Sequence, residues 1–328
     1  MRKPCRPDSV LPSTAVEGGD VLERLGLGLA ALGRPAYINL GRQGALPGVR
    51  SVPAMRAAAW KVLDESYAAG IRWVDAARSY GRAEEFLAGW LADRGHEDVV
   101  VSSKWGYAYV ADWRPDAPVH EVKEHSLARF EQQWAETEEL LGGWLSVYQV
   151  HSLTADSPLF NDPLLQQSLF ELTDRGIRIG FSTTGPAQAE TIRRATALTV
   201  HGRPLFSTVQ STWNVLETSA GPALAEAHEA GLHVLVKEAL ANGRLAVEPP
   251  AELLGIAEGA GVGADAVALA AALAQPWADT VLLGAASPAQ LRANLAAARV
   301  TLPGPNTLAH LAVEPGRYWG RRAELAWN

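Results

Sequence analysis

Four residues, Asp75, Tyr80, Lys104 and His151, carry the side chains needed to hand a proton to an oxygen that is gaining charge. A phenol with an ordinary pKa near ~10 is a reluctant donor. A close ammonium stabilises the phenolate and so lowers that pKa. A carboxylate keeps the ammonium charged and oriented, and an imidazole hydrogen-bonds the accepting oxygen where negative charge develops. The chemistry such a group suits is protonation of a carbonyl as it accepts hydride. Its spacing matters as much as its composition. Asp75 closes the mostly apolar run Ile71-Arg72-Trp73-Val74, Lys104 follows Val99-Val100-Val101-Ser102-Ser103, and His151 follows Val147-Tyr148-Gln149-Val150. Three successive strands would deliver a carboxylate, an ammonium and an imidazole to one rim. Tyr80 comes five residues after Asp75, just before Gly81, and can fold back over the mouth.

The elements that must hold these residues alternate regularly. Candidate strands are Leu25–Leu29, Ile71–Asp75, Val99–Ser103, Leu145–Val150, Ile177–Ser182, Leu205–Gln210, Leu232–Val236 and Thr280–Leu283. Each is short and mostly apolar, as expected of strands buried on both faces. Between them lie stretches of helical period: Pro53–Ala69, Arg82–Arg94, Leu164–Arg175 and Glu217–Ala230, each followed by a glycine that suits a helix stop. Ala264–Ala274 reads as a helix packed closely on its neighbours, and Pro288–Ala298 follows a residue suited to an N-cap, Ser287. Eight βα units without a break in composition imply a single-domain α/β (β/α)8 TIM barrel over residues 25–328, preceded by an N-terminal extension, residues 1–24. An open doubly wound sheet is the alternative, but it normally carries a G-x-G-x-x-G turn after its first strand. Gly26-Leu27-Gly28 lies within the strand instead, with Ala31 where the third glycine belongs.

Composition narrows the partners. A net charge of −7 with both signs interspersed leaves no basic stripe for a phosphate backbone, which argues against nucleic acid. The short basic cluster Arg317 to Arg322 reads as a solvated face. The single cysteine, Cys5, excludes an intrachain disulfide and a thiolate zinc cluster. Residues 1–24 lack the apolar core of a signal peptide and no run is long enough to span a bilayer, so a soluble cytoplasmic protein is expected.

The stretch from Gly70 to Gly81, with Asp75, Ala77, Tyr80 and Gly81, resembles the Asp-x-Ala-x-x-Tyr-Gly signature of the aldo-keto reductases. Ser103-Lys104 and Val150-His151-Ser152 resemble the sites of that superfamily's catalytic lysine and histidine, and the similarity extends over roughly residues 25–298. The resemblance implies a (β/α)8 barrel that binds NADPH or NADH without a metal. It implies that Tyr80 is general acid in reduction and base in oxidation, that Lys104 lowers its pKa, that Asp75 pairs with Lys104, and that His151 orients the carbonyl of a small-molecule substrate.

The cofactor segments match unevenly. Ser182-Thr183 stands where the family commonly has Ser-Asn for the nicotinamide carboxamide; a hydroxyl cannot donate and accept as an amide does. Gln210 matches a carboxamide-binding glutamine. Lys237 stands where a ring often stacks on the nicotinamide, and Glu238 replaces a serine. Ser287, Gln290 and Asn294 match the adenosine-phosphate segment, whose helix N-terminus favours an anion. No basic residue for a 2′-phosphate is obvious, Arg292 being the nearest candidate, so NADPH is the family expectation and NADH the alternative.

Substrate walls are expected from the aromatic stretch Trp105, Tyr107, Tyr109 and Trp113. Trp213 is a candidate wall of the cofactor cleft, and the glycine-containing stretch Arg34–Val52 a candidate for the mouth. The leading activity is reversible reduction of an aldehyde or ketone, a sugar or another small carbonyl compound. The competing readings are a dehydrogenase working mainly in the oxidative direction on sugars, a nucleotide-binding regulatory barrel with slow turnover, and a Schiff-base enzyme using Lys104.

Overall fold

The computed structural model describes residues 21–328. Cys5 and the N-terminal extension up to residue 20 lie outside the described residues. Eight parallel strands close into a barrel. In chain order they are β1 (Leu25–Gly28), β2 (Trp73–Asp75), β3 (Val100–Trp105), β4 (Leu145–Leu153), β5 (Arg178–Thr183), β6 (Thr208–Thr212), β7 (His233–Lys237) and β8 (Thr280–Leu283). Closure is made by β1, which pairs with both β2 and β8. The open-sheet alternative is therefore excluded, and each expected strand is found within a few residues of its expected bounds.

Helices α1 (Val52–Ala68), α2 (Ala83–Arg94), α3 (Leu127–Leu141), α4 (Pro163–Glu171), α5 (Gln188–Thr196) and α6 (Gly221–Glu229) follow β1 to β6 in turn. After β7 come α7 (Arg244–Val247), α8 (Ala251–Ala260) and α9 (Ala264–Leu273), and after β8 come α10 (Pro288–Leu295) and α11 (Pro315–Ala323). The four glycines expected to end helices, Gly70, Gly95, Gly176 and Gly231, all adopt positive φ between 68 and 96°. A side chain would strain that backbone, which is why glycine stops the helix there. The helix expected from Glu217 starts only at Gly221, because Glu217 is buried and its carboxylate accepts from the Ser219 amide.

The main core lies between the barrel wall and the helices. A smaller cluster of Trp73, Val147, Leu235 and Leu282 fills the barrel interior. Below the site, His233 stacks on Trp73 with ring centres 4.9 Å apart and bonds Thr280. No single helix among the described residues is long and apolar enough to cross a membrane. Two additions to the barrel concern the mouth. A hairpin pairs Tyr107–Tyr109 with Glu121–Lys123 beyond β3, and α11 with the residues after it reaches back over the rim.

Candidate active site

The C-terminal ends of the strands surround a cavity of about 410 Å³, the end at which barrels of this type gather chemistry. Asp75 ends β2 and is 2% exposed. Its Oδ1 accepts from Ser102 Oγ at 2.7 Å, Gln210 Nε2 at 3.1 Å and Gln149 Nε2 at 3.2 Å, and its Oδ2 from Lys104 Nζ at 2.5 Å. Donors from β3, β4 and β6 thus hold one carboxylate, which satisfies the rule that a buried charge be paired and hydrogen-bonded. Lys104 Nζ also donates to the Ala76 carbonyl at 2.8 Å and to the Tyr80 hydroxyl at 3.3 Å. Every direction of the ammonium is fixed, so it acts as a point charge behind the phenol.

Tyr80 sits in the turn before α2, 8% exposed, with its ring edge-on to His151 at 5.5 Å between centres. His151 owes its direction to a bulge. The β4–β5 register shifts between Val150 and Leu153, Ser152 takes φ +52°, and the Ser152 amide donates to Ser182 Oγ at 2.8 Å. Tyr80, His151 and Asp75 line the cavity, with Lys104 directly behind them.

Electrostatics partly follow the expectation. Burial, then the charges of Lys104, Lys237 and Arg34, hold the His151 imidazole well below its usual range, so it is neutral at neutral pH. Ser79 Oγ lies 3.4 Å from its Nδ1; with Ser79 donating there, the ring proton sits on Nε2. Burial lowers the Lys104 ammonium against the opposing Asp75 charge. The Tyr80 phenol is not depressed, contrary to the expectation for a residue beside Lys104. Burial and then Asp75 push it well above its ordinary value, opposed by Arg34.

The other expected site residues divide. Gln210, Lys237, Gln290, Asn294 and Tyr107 line the cavity, and the Tyr107 ring lies 4.9 Å from that of His151. Ser182, Thr183 and Ser287 do not. Ser182 pins the bulge described above. Thr183 is buried and bonds Ser211 Oγ at 2.8 Å, facing α5, and the next residue, Thr184, reaches the cavity instead. Ser287 caps α10, its Oγ accepting from the Gln290 amide. Trp105 is fully buried, its ring 5.2 Å from Phe130, and does not line the cavity. Trp113 packs on Phe86 and donates to the Arg50 carbonyl. Trp213 stacks edge-on to Trp277 beside a separate groove and does not line the cavity at the rim. Arg292 turns to Glu65 on α1.

Two further groups of residues form the mouth, one of them not expected there. Tyr37, Ile38, Asn39 and Leu40, from the stretch expected near the mouth, line the cavity together with Arg34. Arg322 is not solvated as expected of its cluster: it forms a two-nitrogen pair with Glu238, Nη2 to Oε1 at 2.5 Å and Nε to Oε2 at 2.9 Å. The amphipathic spacing of Tyr318, Trp319 and Arg322 on α11 was the signal, since the first two are buried. Lys237 bonds Thr212 Oγ1 at 2.9 Å and stands 3.7 Å from Glu238. Among the described residues, each cation lining the cavity (Arg34, Lys237 and Arg322) is paired with a glutamate. No cluster of His, Cys, Asp or Glu suited to a metal occurs among the described residues.

Solved structures share this architecture. The holo form of aldo-keto reductase AKR11C1 from Bacillus halodurans is similar with a TM-score of 0.62 at 20% identity, over 92% of this chain and 93% of that one. The glycerol dehydrogenase AKR11B4 from Gluconobacter oxydans is similar with a TM-score of 0.60 at 20% identity, over 86% and 87%. No curated protein matches the chain in sequence. The match to the Aldo/keto reductase family covers residues 24–305, nearly the whole barrel with all four rim residues, and the chain belongs to that family of oxidoreductases.

Proposed function

We propose that this protein catalyses the reversible NAD(P)H-dependent reduction of an aldehyde or ketone, a sugar or another small carbonyl compound, to the alcohol. The observation that carries the reading is the Tyr80 hydroxyl, 3.3 Å from the Lys104 ammonium, on the cavity that His151 also lines. Tyr80 gives its proton to the carbonyl oxygen in reduction and takes it back in oxidation. Lys104, held by Asp75, stabilises the phenolate left behind, and the neutral His151 donates a hydrogen bond to the same oxygen.

The residues present fit a dinucleotide. One cavity is lined by Tyr80 and His151, by Gly284 and Gln290 at the N-terminal side of α10, a polarity that favours phosphate, and by Asn294 in the last turn of that helix. Gln210 spends its amide nitrogen on Asp75, which leaves its oxygen for a carboxamide donor. The nicotinamide cofactor supplies the hydride when bound. NADPH is the family expectation; with Arg292 turned to Glu65 and the cavity cations already paired, NADH is the second donor to test.

The deciding experiment titrates NADPH and NADH into the purified protein by quenching of tryptophan fluorescence, then follows nicotinamide absorbance with a panel of carbonyl compounds. Tyr80→Phe should lose ~10²–10⁴-fold in turnover, the usual worth of a positioned general acid, with cofactor affinity close to wild type. Wild-type turnover in that variant would overturn the assignment of Tyr80. The Schiff-base reading is disfavoured by Lys104 itself, which is fully buried behind the cavity and bonded in three directions.

A further inference from the structure

A second cation flanks the Tyr80 ring. The guanidinium carbon of Arg34 lies 5.1 Å from the ring centre, against 4.7 Å for Lys104 Nζ. Two glycines allow this approach. A Cβ at Gly33 would collide with the Tyr80 carbonyl, and one at Gly81, which has φ +61°, would meet the Gly33 carbonyl at 2.6 Å and Arg34 Cβ at 2.9 Å. The Arg82 amide closes the contact by donating to the Gly33 carbonyl at 2.8 Å.

Past that contact the Arg34 side chain is clamped. It is 1% exposed. Nη1 donates to the Ser79 carbonyl at 3.0 Å and to Glu121 Oε1 at 2.6 Å. The rings of Tyr37 and Trp327 lie 4.6 and 4.9 Å from the guanidinium, while Nε is buried without a partner. A guanidinium cannot shed its charge by deprotonation, so a full positive charge stays beside the phenol with one carboxylate to offset it.

We propose that Arg34 is a positioning residue that stabilises the charge developing on Tyr80 during proton transfer, with Glu121 setting how much of the guanidinium charge the phenol feels. This rests on the reading of Tyr80 as proton donor. The groups facing Tyr80 are Asp75 on β2, Lys104 on β3, His151 on β4, Lys237 at the end of β7 and Glu238 just after it, Arg322 on α11, Glu121 and Tyr107 on the hairpin, and Tyr37 beside Arg34. Asp75 and Lys104 bind each other, as do Glu238 and Arg322, and His151 is neutral. Burial, Asp75, Glu121 and Glu238 push the phenol up, and Arg34 pulls it down.

The consequence is a pair of opposite shifts. Removing Arg34 makes the phenolate harder to form; removing the Glu121 charge makes it easier. The test is the pH profile of 4-nitrobenzaldehyde reduction with NADPH, and with NADH as second donor, for Arg34→Gln, Arg34→Lys and Glu121→Gln. The alkaline limb of kcat should move up in Arg34→Gln and down in Glu121→Gln, by about one pH unit each, roughly tenfold in the phenol's acidity. Arg34→Lys, which keeps the charge, should restore most of the limb. Limbs that stay in place, or move the same way in both variants, overturn the proposal. Should Arg34→Gln fail to fold by circular dichroism, Glu121→Gln decides alone, and an unmoved or raised limb overturns it. Tyr80→Phe run alongside separates the two failures. If it keeps wild-type turnover the proton-donor reading falls; if it loses turnover while the limbs stay fixed, only the role of Arg34 falls.

Discussion

Replacing Arg322 with methionine leaves the Glu238 carboxylate at the wall of the mouth without its main partner. The Glu238 side chain is 9% exposed and that of Arg322 21%, so solvent screens the pair only weakly. Lys237, the other cation, is 3.7 Å away and already donates to Thr212. Burial pushes the Glu238 carboxyl up, yet Arg322 and then Lys237 bring it from 4.5 down to about 2. That displacement is worth about 3 kcal/mol, which agrees with the ~3–5 kcal/mol expected when one partner of a buried pair is removed. Because the folded-state pKa is depressed, the stabilisation is complete above the ordinary carboxyl value of 4.5 and is lost as pH falls through about 2. In the variant, burial dominates and raises the carboxyl, so acid relieves the stranded charge by protonating it. Urea unfolding followed by tryptophan fluorescence should therefore give Arg322→Met a deficit of about 3 kcal/mol at neutral pH that narrows steadily as the solution is acidified. Trp319 and Trp327 lie on the segment being released and report it directly. A neutral-pH deficit under about 1 kcal/mol, or one equally large at pH 3, refutes the reasoning.

Other perturbations probe different parts of the design. Gly33→Ala forces a methyl against the Tyr80 carbonyl; overpacking of this kind costs ~1–3 kcal/mol, and turnover should fall with thermal stability, so an unaltered melt and rate would contradict the close approach. Burial, chiefly, holds His125 and His233 down to about 4, below the unfolded value near ~6.5. The unfolded chain binds more protons between those values, so stability falls as pH drops from about 6.5 to 4. His233→Gln should flatten that slope in urea midpoints measured at several pH values, and a slope as steep as wild type would exclude His233 as a contributor.

The barrel was legible because each strand is a short apolar run and four helices stop at a glycine whose φ only glycine adopts without strain. The rim residues were legible because the C-terminal end of a strand is where a barrel delivers function, and Asp75, Lys104 and His151 lie at or beside that end in three successive units. Less visible was anything decided by side-chain direction across long sequence distance. Trp105 and Tyr107 look equivalent in sequence, but only Tyr107 faces the cavity. Thr183 and Thr184 differ by one position and point to opposite sides of the wall. Arg34, Glu121 and Trp327 meet only after the first loop, the hairpin and the C-terminal segment converge, and no local pattern encodes that meeting. Arg322 looked like one charge among several because the glutamate that receives it lies 84 positions away.

One wall of the mouth also governs the order in which the protein can become competent. It joins residues 34–42 to residues 322–328: the Tyr37 amide and Arg42 Nη1 both donate to the Asn328 carbonyl, the latter across 286 positions. Closing a loop of that length carries an entropic cost that neither stretch can recover until the barrel between them has folded. The rim carboxylate and ammonium, on neighbouring strands, can meet early, whereas the enclosure around them assembles late and is early to open. Hydrogen exchange should then find the amides of Tyr37 and Asn328 opening well before those of Val101 or Val234 in the barrel wall.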